Sequence, residues 1–129
     1  MVFVDTNVFM YAVGRPHRLQ ATAREFFEDA TRERRQLCTS VDVLQELLHA
    51  YVPAKRMATL DAALALVDSL DAEVWPLESE DVLLARRLHR RFPTLGARDL
   101  CHLASCRRRN VNDIKTFDRG FEAAVEAYF

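Results

Sequence analysis

Met1-Val2-Phe3-Val4-Asp5-Thr6-Asn7 opens the chain as an apolar stretch that ends on an acid. The triplet from Val2 to Val4 has no polar side chain, which is typical of a strand buried at the centre of a sheet. Open α/β sheets bind their ligands in the crevice outside the carboxyl ends of the strands. The sequence therefore predicts that Asp5 lies at the edge of a ligand crevice.

Short strand-like segments alternate with helical ones along the rest of the chain. Residues 37–39, 73–75 and, more weakly, 111–116 have strand character, and apolar residues recur at helical spacing between them. Helices are predicted over residues 17–35, 41–51, 56–70, 80–91 and 98–109, with Ser40 and Ser79 as N-caps and only a helical turn near Arg119. This alternation predicts an α/β fold in which helices flank a short central parallel sheet of four or five strands, with the Asp5 strand central.

Length, charge and cysteine content narrow the class of protein. At 129 residues the chain is predicted to be a single domain over residues 1–129, because no linker, repeat or low-complexity segment divides it. A net charge of −1 and a pI near 6.4 give no overall attraction to nucleic acid or membranes. Three cysteines without C-x-x-C spacing are typical of reduced thiols, and neither a membrane-spanning run nor a secretory leader is evident. We expect a cytoplasmic protein that does not bind membranes.

Three further acids stand where they could converge on Asp5. Glu46 lies in the apolar helix segment Leu44-Gln45-Glu46-Leu47-Leu48, Asp99 at the start of a helix, and Asp118 directly after the last predicted strand. A buried, unpaired carboxylate is costly, so Glu46 in particular needs a cation, a partner or solvent. The other three acids can each be explained as helix caps or first-turn residues. Together, the four would repel one another unless a divalent cation lay among them, which predicts a metal site.

The spacing of two histidines allows a different metal site. Glu46-x-x-His49 has the E-x-x-H spacing of di-iron carboxylate proteins, and Asp99-x-x-His102 imitates it with a shorter acid. Such sites need a four-helix bundle, and the strands predicted in this chain argue against one. His49 and His102 are therefore predicted to be helix residues at partly exposed or core-edge positions.

Four short motifs each contain one of the four acids, and the last two acids are 19 residues apart. The motifs are Val4-Asp5-Thr6-Asn7, Leu44-Gln45-Glu46-Leu47, Arg98-Asp99-Leu100-Cys101-His102-Leu103-Ala104 and Thr116-Phe117-Asp118-Arg119-Gly120-Phe121. In their order and spacing they resemble the PIN-domain nucleases, and more narrowly the VapC-type toxins of bacterial and archaeal toxin–antitoxin pairs. The resemblance spans essentially the whole chain.

The resemblance implies a PIN-like three-layer sandwich and a metal-dependent endoribonuclease that leaves 3′-hydroxyl and 5′-phosphate ends. The catalytic quartet would consist of Asp5, Glu46, Asp99 and Asp118. All of these except Glu46 would bind the metal, with Asn7 and Thr116 as polar support at the substrate site. Carboxylate oxygens are hard ligands that suit Mg²⁺ or Mn²⁺.

The last predicted strand and the arginines add further candidates. Val111-Asn112-Asp113-Ile114-Lys115 is more polar than the family's fourth strand, so Asp113 stays an addition or alternative to Asp118. Arg98 and Arg119 stand beside the acids and are predicted to contact RNA phosphates. The run from Arg107 to Arg109 is predicted to be a solvated helix end, where the helix dipole favours cations.

The resemblance also implies partners. A toxin needs restraint, so we expect a cognate antitoxin whose peptide covers the acidic crevice, and homodimerisation is common in the family. An inactive PIN-like module that binds RNA or protein is the alternative. The complete set of four acids argues against that alternative, because an inactive member would be expected to lose one.

Overall fold

The computed structural model describes residues 1–129 and contains four strands and seven helices. The strands are β1 (Val2–Val4), β2 (Leu37–Ser40), β3 (Glu73–Trp75) and β4 (Asp113–Lys115). The helices are α1 (Thr6–Val13), α2 (Gln20–Arg32), α3 (Val41–Tyr51), α4 (Met57–Ser69), α5 (Ser79–Leu88), α6 (Ala97–Arg108) and α7 (Arg119–Tyr128). The predicted α/β class, with four strands and helices between them, is confirmed.

All four strands are parallel, and they lie in the order β3-β2-β1-β4. β1 is an inner strand, and Phe3 and Val4 are fully buried, as their apolar character predicts. Val4 pairs with Lys115, so β1 and β4 end side by side. Because the strands run in one direction, Asp5 after β1 and Thr116 after β4 meet at the carboxyl edge of the sheet.

Two groups of helices flank the sheet. Helices α1 to α4 share one cluster of 20 buried apolar residues with the strands, including Phe9, Phe27 and Leu47. Helices α5 to α7 form a second cluster of seven around Leu103 and Phe121. This arrangement is the expected three-layer sandwich. None of the helices combines the length and the apolar composition that crossing a membrane requires.

The C-terminal segment differs from its prediction. Instead of a single turn near Arg119, a ten-residue helix, α7, runs to Tyr128. Asp118 is its N-cap, and the carboxylate accepts a hydrogen bond from the backbone N–H of Phe121 at 3.0 Å. Phe121 and Ala124 are buried on the inner face of this helix. The prediction was wrong because the inner face of α7 has only a short apolar stripe, which was interpreted as a turn followed by an apolar end of the chain.

Other predicted boundaries also change. α2 is shorter than the predicted 17–35, because Arg34 has the left-handed φ of 52°, which ends the helix. β4 covers only three of the six residues predicted. Ser79 is the first residue of α5 rather than its cap: the N-cap is Glu78, whose backbone N–H donates to the Asp81 carboxylate at 2.9 Å.

Two of the three arginines at the end of α6 form ion pairs instead of being only solvated. Arg108 and Arg109 donate to the fully buried Asp81 carboxylate at 2.6 and 3.1 Å. The Arg109 guanidinium also lies 4.9 Å from the ring centroid of Trp75. The solvated interpretation was wrong for these two residues, because a buried acid on α5 takes up their charge.

Candidate active site

Asp5 occupies the junction between β1 and α1 and has two roles there. Its Oδ1 accepts the backbone N–H of Thr6 at 2.8 Å, so it caps α1. Its Oδ2 accepts the Thr116 hydroxyl at 2.8 Å and lies 3.3 Å from Nδ2 of Asn7. The residue is only 5% exposed. Capping therefore does not compete with a site role, since the second oxygen contacts Thr116, just after β4, and Asn7 of α1.

Thr116 and Asn7 fix that second oxygen. The Thr116 hydroxyl donates to Asp5 and accepts from Nδ2 of Asn7 and from the backbone N–H of Asp118, both at 3.1 Å. Oδ1 of Asn7 in turn accepts the backbone N–H of Phe117 at 3.0 Å. These contacts tie the start of α1 to the segment after β4, so the orientation of Asp5 depends on both elements.

Glu46 reaches the same edge from α3. The Thr6 hydroxyl donates to its Oε2, and Nη1 of Arg98 lies 3.0 Å from its Oε1. Glu46 is half-buried. A carboxylate in an apolar helix segment was expected to need a partner, and Glu46 has two: the guanidinium of Arg98 and the hydroxyl of Thr6. The contact with Thr6 had no signal in the sequence, since the two residues are 40 positions apart.

Asp99 lies in the first turn of α6 and is surrounded by the other acids. Its burial, and then the negative charges of Asp5, Asp118 and Glu46, raise its pKa to about 7, while Arg98 opposes the shift. Burial likewise raises the pKa of Asp5, with the charges of Glu46 and Asp118 adding to the effect. The structure thus brings all four predicted acids within electrostatic reach of one another.

Asp118 and its neighbours stand at the outer side of the group. Asp118 is exposed and caps α7. Arg119, the first residue of that helix, is also exposed. Asp113 is also exposed, but it pairs with Val2 at the opposite end of β4. It therefore does not join the acids at the carboxyl edge, which leaves Asp118 as the acid that this segment contributes.

His102 was missed as a site residue. It is 1% exposed, so the predicted partly exposed or core-edge position is wrong. Its Nε2 lies 3.8 Å from Oδ1 of Asp5 and is the one buried side-chain nitrogen or oxygen without a hydrogen-bond partner. Burial lowers the pKa of His102 to about 4, so the ring is neutral near pH 7. The Asp99-x-x-His102 spacing was the available signal, because residues three apart share a helix face.

The donor set fits a divalent cation. Carboxylate oxygens of Asp5 and Glu46 and a ring nitrogen of His102 lie within 4.8 Å of one another, and Asp99 and Asp118 are not members of this group. Burial and then the negative charges of Asp5, Asp118 and Glu46 raise the pKa of Asp99, and Arg98 is the positive charge that opposes this rise. Hard oxygen donors and uncompensated negative charge together favour a cation such as Mg²⁺ or Mn²⁺. A di-iron site is excluded, because the sheet leaves no four-helix bundle and His49 is exposed.

Comparisons with known proteins identify the family of this chain. The family model described as PIN domain matches residues 2–126. Ribonuclease VapC23 of Mycobacterium tuberculosis (strain ATCC 25618 / H37Rv) is 58% identical over 127 residues, which cover 98% of this chain and 100% of the relative. Ribonuclease VapC13 of the same strain is 37% identical over 123 residues, covering 95% of this chain and 94% of the relative.

Solved structures show the same fold at low sequence identity. The crystal structure of Mycobacterium tuberculosis VapC20, described as a Sarcin-Ricin loop cleaving toxin, superposes with a TM-score of 0.74 at 19% identity. That match covers 96% of this chain and 95% of VapC20. A chain of VapBC2 from Rickettsia felis, bound to a DNA fragment from its promoter, gives a TM-score of 0.73 at 15% identity, with 95% and 92% covered.

Proposed function

This chain belongs to the PIN domain family and, within it, to the VapC-type toxins, and from that membership we propose that its acidic edge is the active site of a divalent-metal-dependent endoribonuclease. The substrate class is RNA. The products are fragments with 3′-hydroxyl and 5′-phosphate ends. The names of the curated relatives, both ribonucleases, support the reaction class.

The observation that carries the proposal is the convergence of four acids from separate elements. Asp5, Glu46, Asp99 and Asp118 follow or belong to β1, α3, α6 and the segment after β4. Burial, and then the charges of Asp5, Asp118 and Glu46, raise the pKa of Asp99 to about 7. A protein that needed only stability would not place uncompensated acids together, because their mutual repulsion opposes folding.

The residues of this chain have distinct tasks in the proposed reaction. Asp5, Asp99 and Asp118 would hold Mg²⁺ or Mn²⁺, and Thr116 and Asn7 keep the Asp5 carboxylate oriented. When bound, the cation supplies Lewis acidity at the scissile phosphate and lowers the pKa of the attacking water.

Two arginines beside the acids are proposed to meet the RNA backbone. Arg98 remains 40% exposed in its pair with Glu46, so part of its guanidinium faces solvent. Arg119 is exposed at the start of α7, next to Asp118. Guanidinium groups bind phosphate oxygens in bidentate geometry, which suits a substrate whose charge repeats along its length.

The direct test is cleavage of total RNA by the purified chain free of antitoxin. We expect cleavage with Mn²⁺ or Mg²⁺, none with EDTA, and a loss of at least about a hundredfold in Asp99→Asn if the carboxylate holds the ion. Asp113→Asn is the matched control, because it removes an exposed acid at the far end of β4. Folded protein that binds Mn²⁺ yet leaves every RNA intact would support the alternative, an inactive RNA- or protein-binding module.

A protein partner is part of the proposal. We propose a cognate antitoxin that covers the acidic edge, and a homodimer of this chain. The second structural neighbour is a VapBC complex with DNA, and α5 exposes apolar side chains at Val82 and Leu83, of which Leu83 is 61% exposed. Mass measurement in solution, with and without the product of a neighbouring small open reading frame, tests both associations. A monomer that does not bind that product would contradict both the homodimer and the antitoxin complex.

A further inference from the structure

His102 stands directly behind the acid on which the proposed site is built. The ring lies between Phe3 and Phe121, with centroid distances of 5.0 and 6.2 Å, and only 1% of the residue is exposed. Its Nε2 lies 3.8 Å from Oδ1 of Asp5 and has no hydrogen-bond partner. Buried polar atoms without partners are rare in folded proteins, so this one calls for an explanation.

The neighbouring charge fixes which nitrogen of the ring carries the proton. A neutral imidazole has one N–H and one lone pair. If the lone pair were on Nε2, this buried atom would face a carboxylate oxygen at 3.8 Å, and the two would repel. With the proton on Nε2, the N–H dipole faces the negative oxygen and the interaction is favourable. The geometry therefore selects the Nε2–H tautomer, in which this atom is a donor and cannot bind a metal.

The surroundings of the ring differ from those of the outer acids. The ring of His102 packs against Phe3 and Phe121 and the residue is 1% exposed, whereas Asp99 is half-buried and Asp118 is exposed. Mg²⁺ gives up its water molecules reluctantly, so it favours the more exposed carboxylates over a buried ring nitrogen. His102 is therefore assigned a role beside Asp5 rather than a place among the metal ligands.

We propose that His102 is a positioning residue of the metal site: its Nε2–H faces Oδ1 of Asp5 from 3.8 Å and favours the carboxylate orientation that would hold a divalent cation. Oδ1 already accepts one N–H, from Thr6, and a carboxylate oxygen accepts two. Groups that hydrogen-bond to metal ligands orient them and raise affinity, and their loss typically weakens metal binding by about 10- to 100-fold. The proposal rests on the proposed function in assigning a cation to these acids.

Two substitutions separate the donor from the packing. His102→Gln keeps an N–H donor at about the same distance along the side chain, whereas His102→Met fills a similar volume without a donor. Leu103→Met is the control for altered packing, because Leu103 is a fully buried neighbour on the same helix. Mn²⁺ affinity is measured by the loss of the free-ion electron paramagnetic resonance signal, which requires no RNA.

We expect Mn²⁺ affinity to fall about tenfold in His102→Met and to stay within about threefold of the unaltered chain in His102→Gln and Leu103→Met. Nitrogen-15 NMR of the unaltered chain should show the Nε2–H tautomer, in the metal-free protein and after addition of Mg²⁺. This measurement does not depend on whether either variant folds.

Three results would overturn the inference: unchanged Mn²⁺ affinity in folded His102→Met, an Nδ1–H tautomer, or a directly bound nitrogen detected by ¹⁴N coupling to Mn²⁺. These outcomes are distinct from failure of the proposed function. If Mn²⁺ binding depends on His102 but no RNA is cut, the positioning role stands and the ribonuclease proposal fails. If His102→Met cuts RNA with normal metal dependence, the ribonuclease proposal stands and the positioning role fails.

Discussion

Nη1 of Arg98 lies 3.0 Å from Oε1 of Glu46, which joins the first turn of α6 to the middle of α3. The other oxygen of Glu46 accepts the Thr6 hydroxyl, so this carboxylate is engaged on both sides. The pair brings a positive charge into a group of acids, and that charge opposes the rise in the pKa of Asp99. Arg98 therefore acts on the acids themselves, in addition to its predicted contact with RNA.

Replacing Arg98 should change how Asp99 titrates. In Arg98→Gln we expect the pKa of Asp99 to rise above its value of about 7, because the opposing charge is gone while those of Asp5 and Asp118 remain. NMR titration of the Asp99 carboxyl carbon in metal-free protein measures this directly. Arg119→Gln is the matched control, since it removes an exposed arginine at the start of α7 and should leave the pKa of Asp99 unchanged. Equal shifts in the two variants would show a general charge effect rather than a specific pair.

The raised pKa of Asp99 also makes the stability of the metal-free protein depend on pH. The folded-state pKa of about 7 exceeds the ordinary value of 3.8, so between these limits the folded chain binds more protons than the unfolded chain. The free energy of unfolding therefore falls as the pH rises through this window. His102 acts in the opposite sense below its ordinary pKa of 6.5, because its folded-state pKa is about 4. A variant is needed to separate the contributions of Asp99 and His102 to the free energy of unfolding.

Asp99→Asn isolates that contribution. We expect this variant to be more stable than the unaltered chain at pH 8 in EDTA. The difference should shrink progressively as the pH falls from about 7 toward 3.8, since the buried Asp99 carboxyl of the unaltered chain then becomes protonated. Urea denaturation at several pH values gives the difference, in which the effect of His102 cancels. Asp113→Asn should show no such trend, because that acid is exposed. A stability difference that does not vary with pH would refute the assignment.

Thr116 should matter for both stability and metal binding. Thr116→Val keeps the shape but removes a hydroxyl that donates to Asp5 and accepts from Asn7 and from the backbone of Asp118. Leaving these partners unpaired should cost about 1–3 kcal/mol in the free energy of unfolding. Mn²⁺ affinity should fall about tenfold, because Asp5 loses its orientation. Thr116→Ser retains the hydroxyl and should stay near the unaltered chain in both measurements; if it fails equally, the lost methyl group and not the hydroxyl is responsible.

The sequence was sufficient where the pattern is local. Three consecutive apolar residues followed by Asp5 predict an inner strand and an acid at its carboxyl edge, and both are present. The capping of α3 by Ser40 was likewise predicted, and its side chain accepts from the N–H of Val43. Such signals depend on neighbours within one turn or one strand, which the sequence displays directly.

The sequence was insufficient where a side chain depends on how elements pack. In α6, the residues from His102 to Cys106 are all buried, so the helix has no polar face against which an inward direction can be recognised. His102 was therefore mistaken for a residue at the edge of the core. The pairing of Arg108 and Arg109 with Asp81 could not be predicted for the same reason. The two arginines are 27 and 28 positions from Asp81, and they meet it only when α5 packs against α6.

Asp81 should contribute to stability without affecting the proposed site. It is fully buried and accepts from Arg108, Arg109 and the backbone N–H of Glu78. Asp81→Ala leaves these donors without their acceptor, and removing one partner of a buried ion pair typically costs about 3–5 kcal/mol. We expect a loss of about 3 kcal/mol, at the lower end, because both arginines keep some access to water.

Glu80→Ala is the control for this change, since Glu80 is exposed in the same helical turn and should alter the free energy of unfolding by less than about 0.5 kcal/mol. Arg108 lies nine residues beyond Asp99 in α6, a rise of about 13 Å. Mn²⁺ affinity of the folded fraction should therefore be unchanged in Asp81→Ala. If the affinity falls together with stability, the ion network and the acidic site form one cooperative unit, and the metal site is less independent of α5 than its contacts indicate.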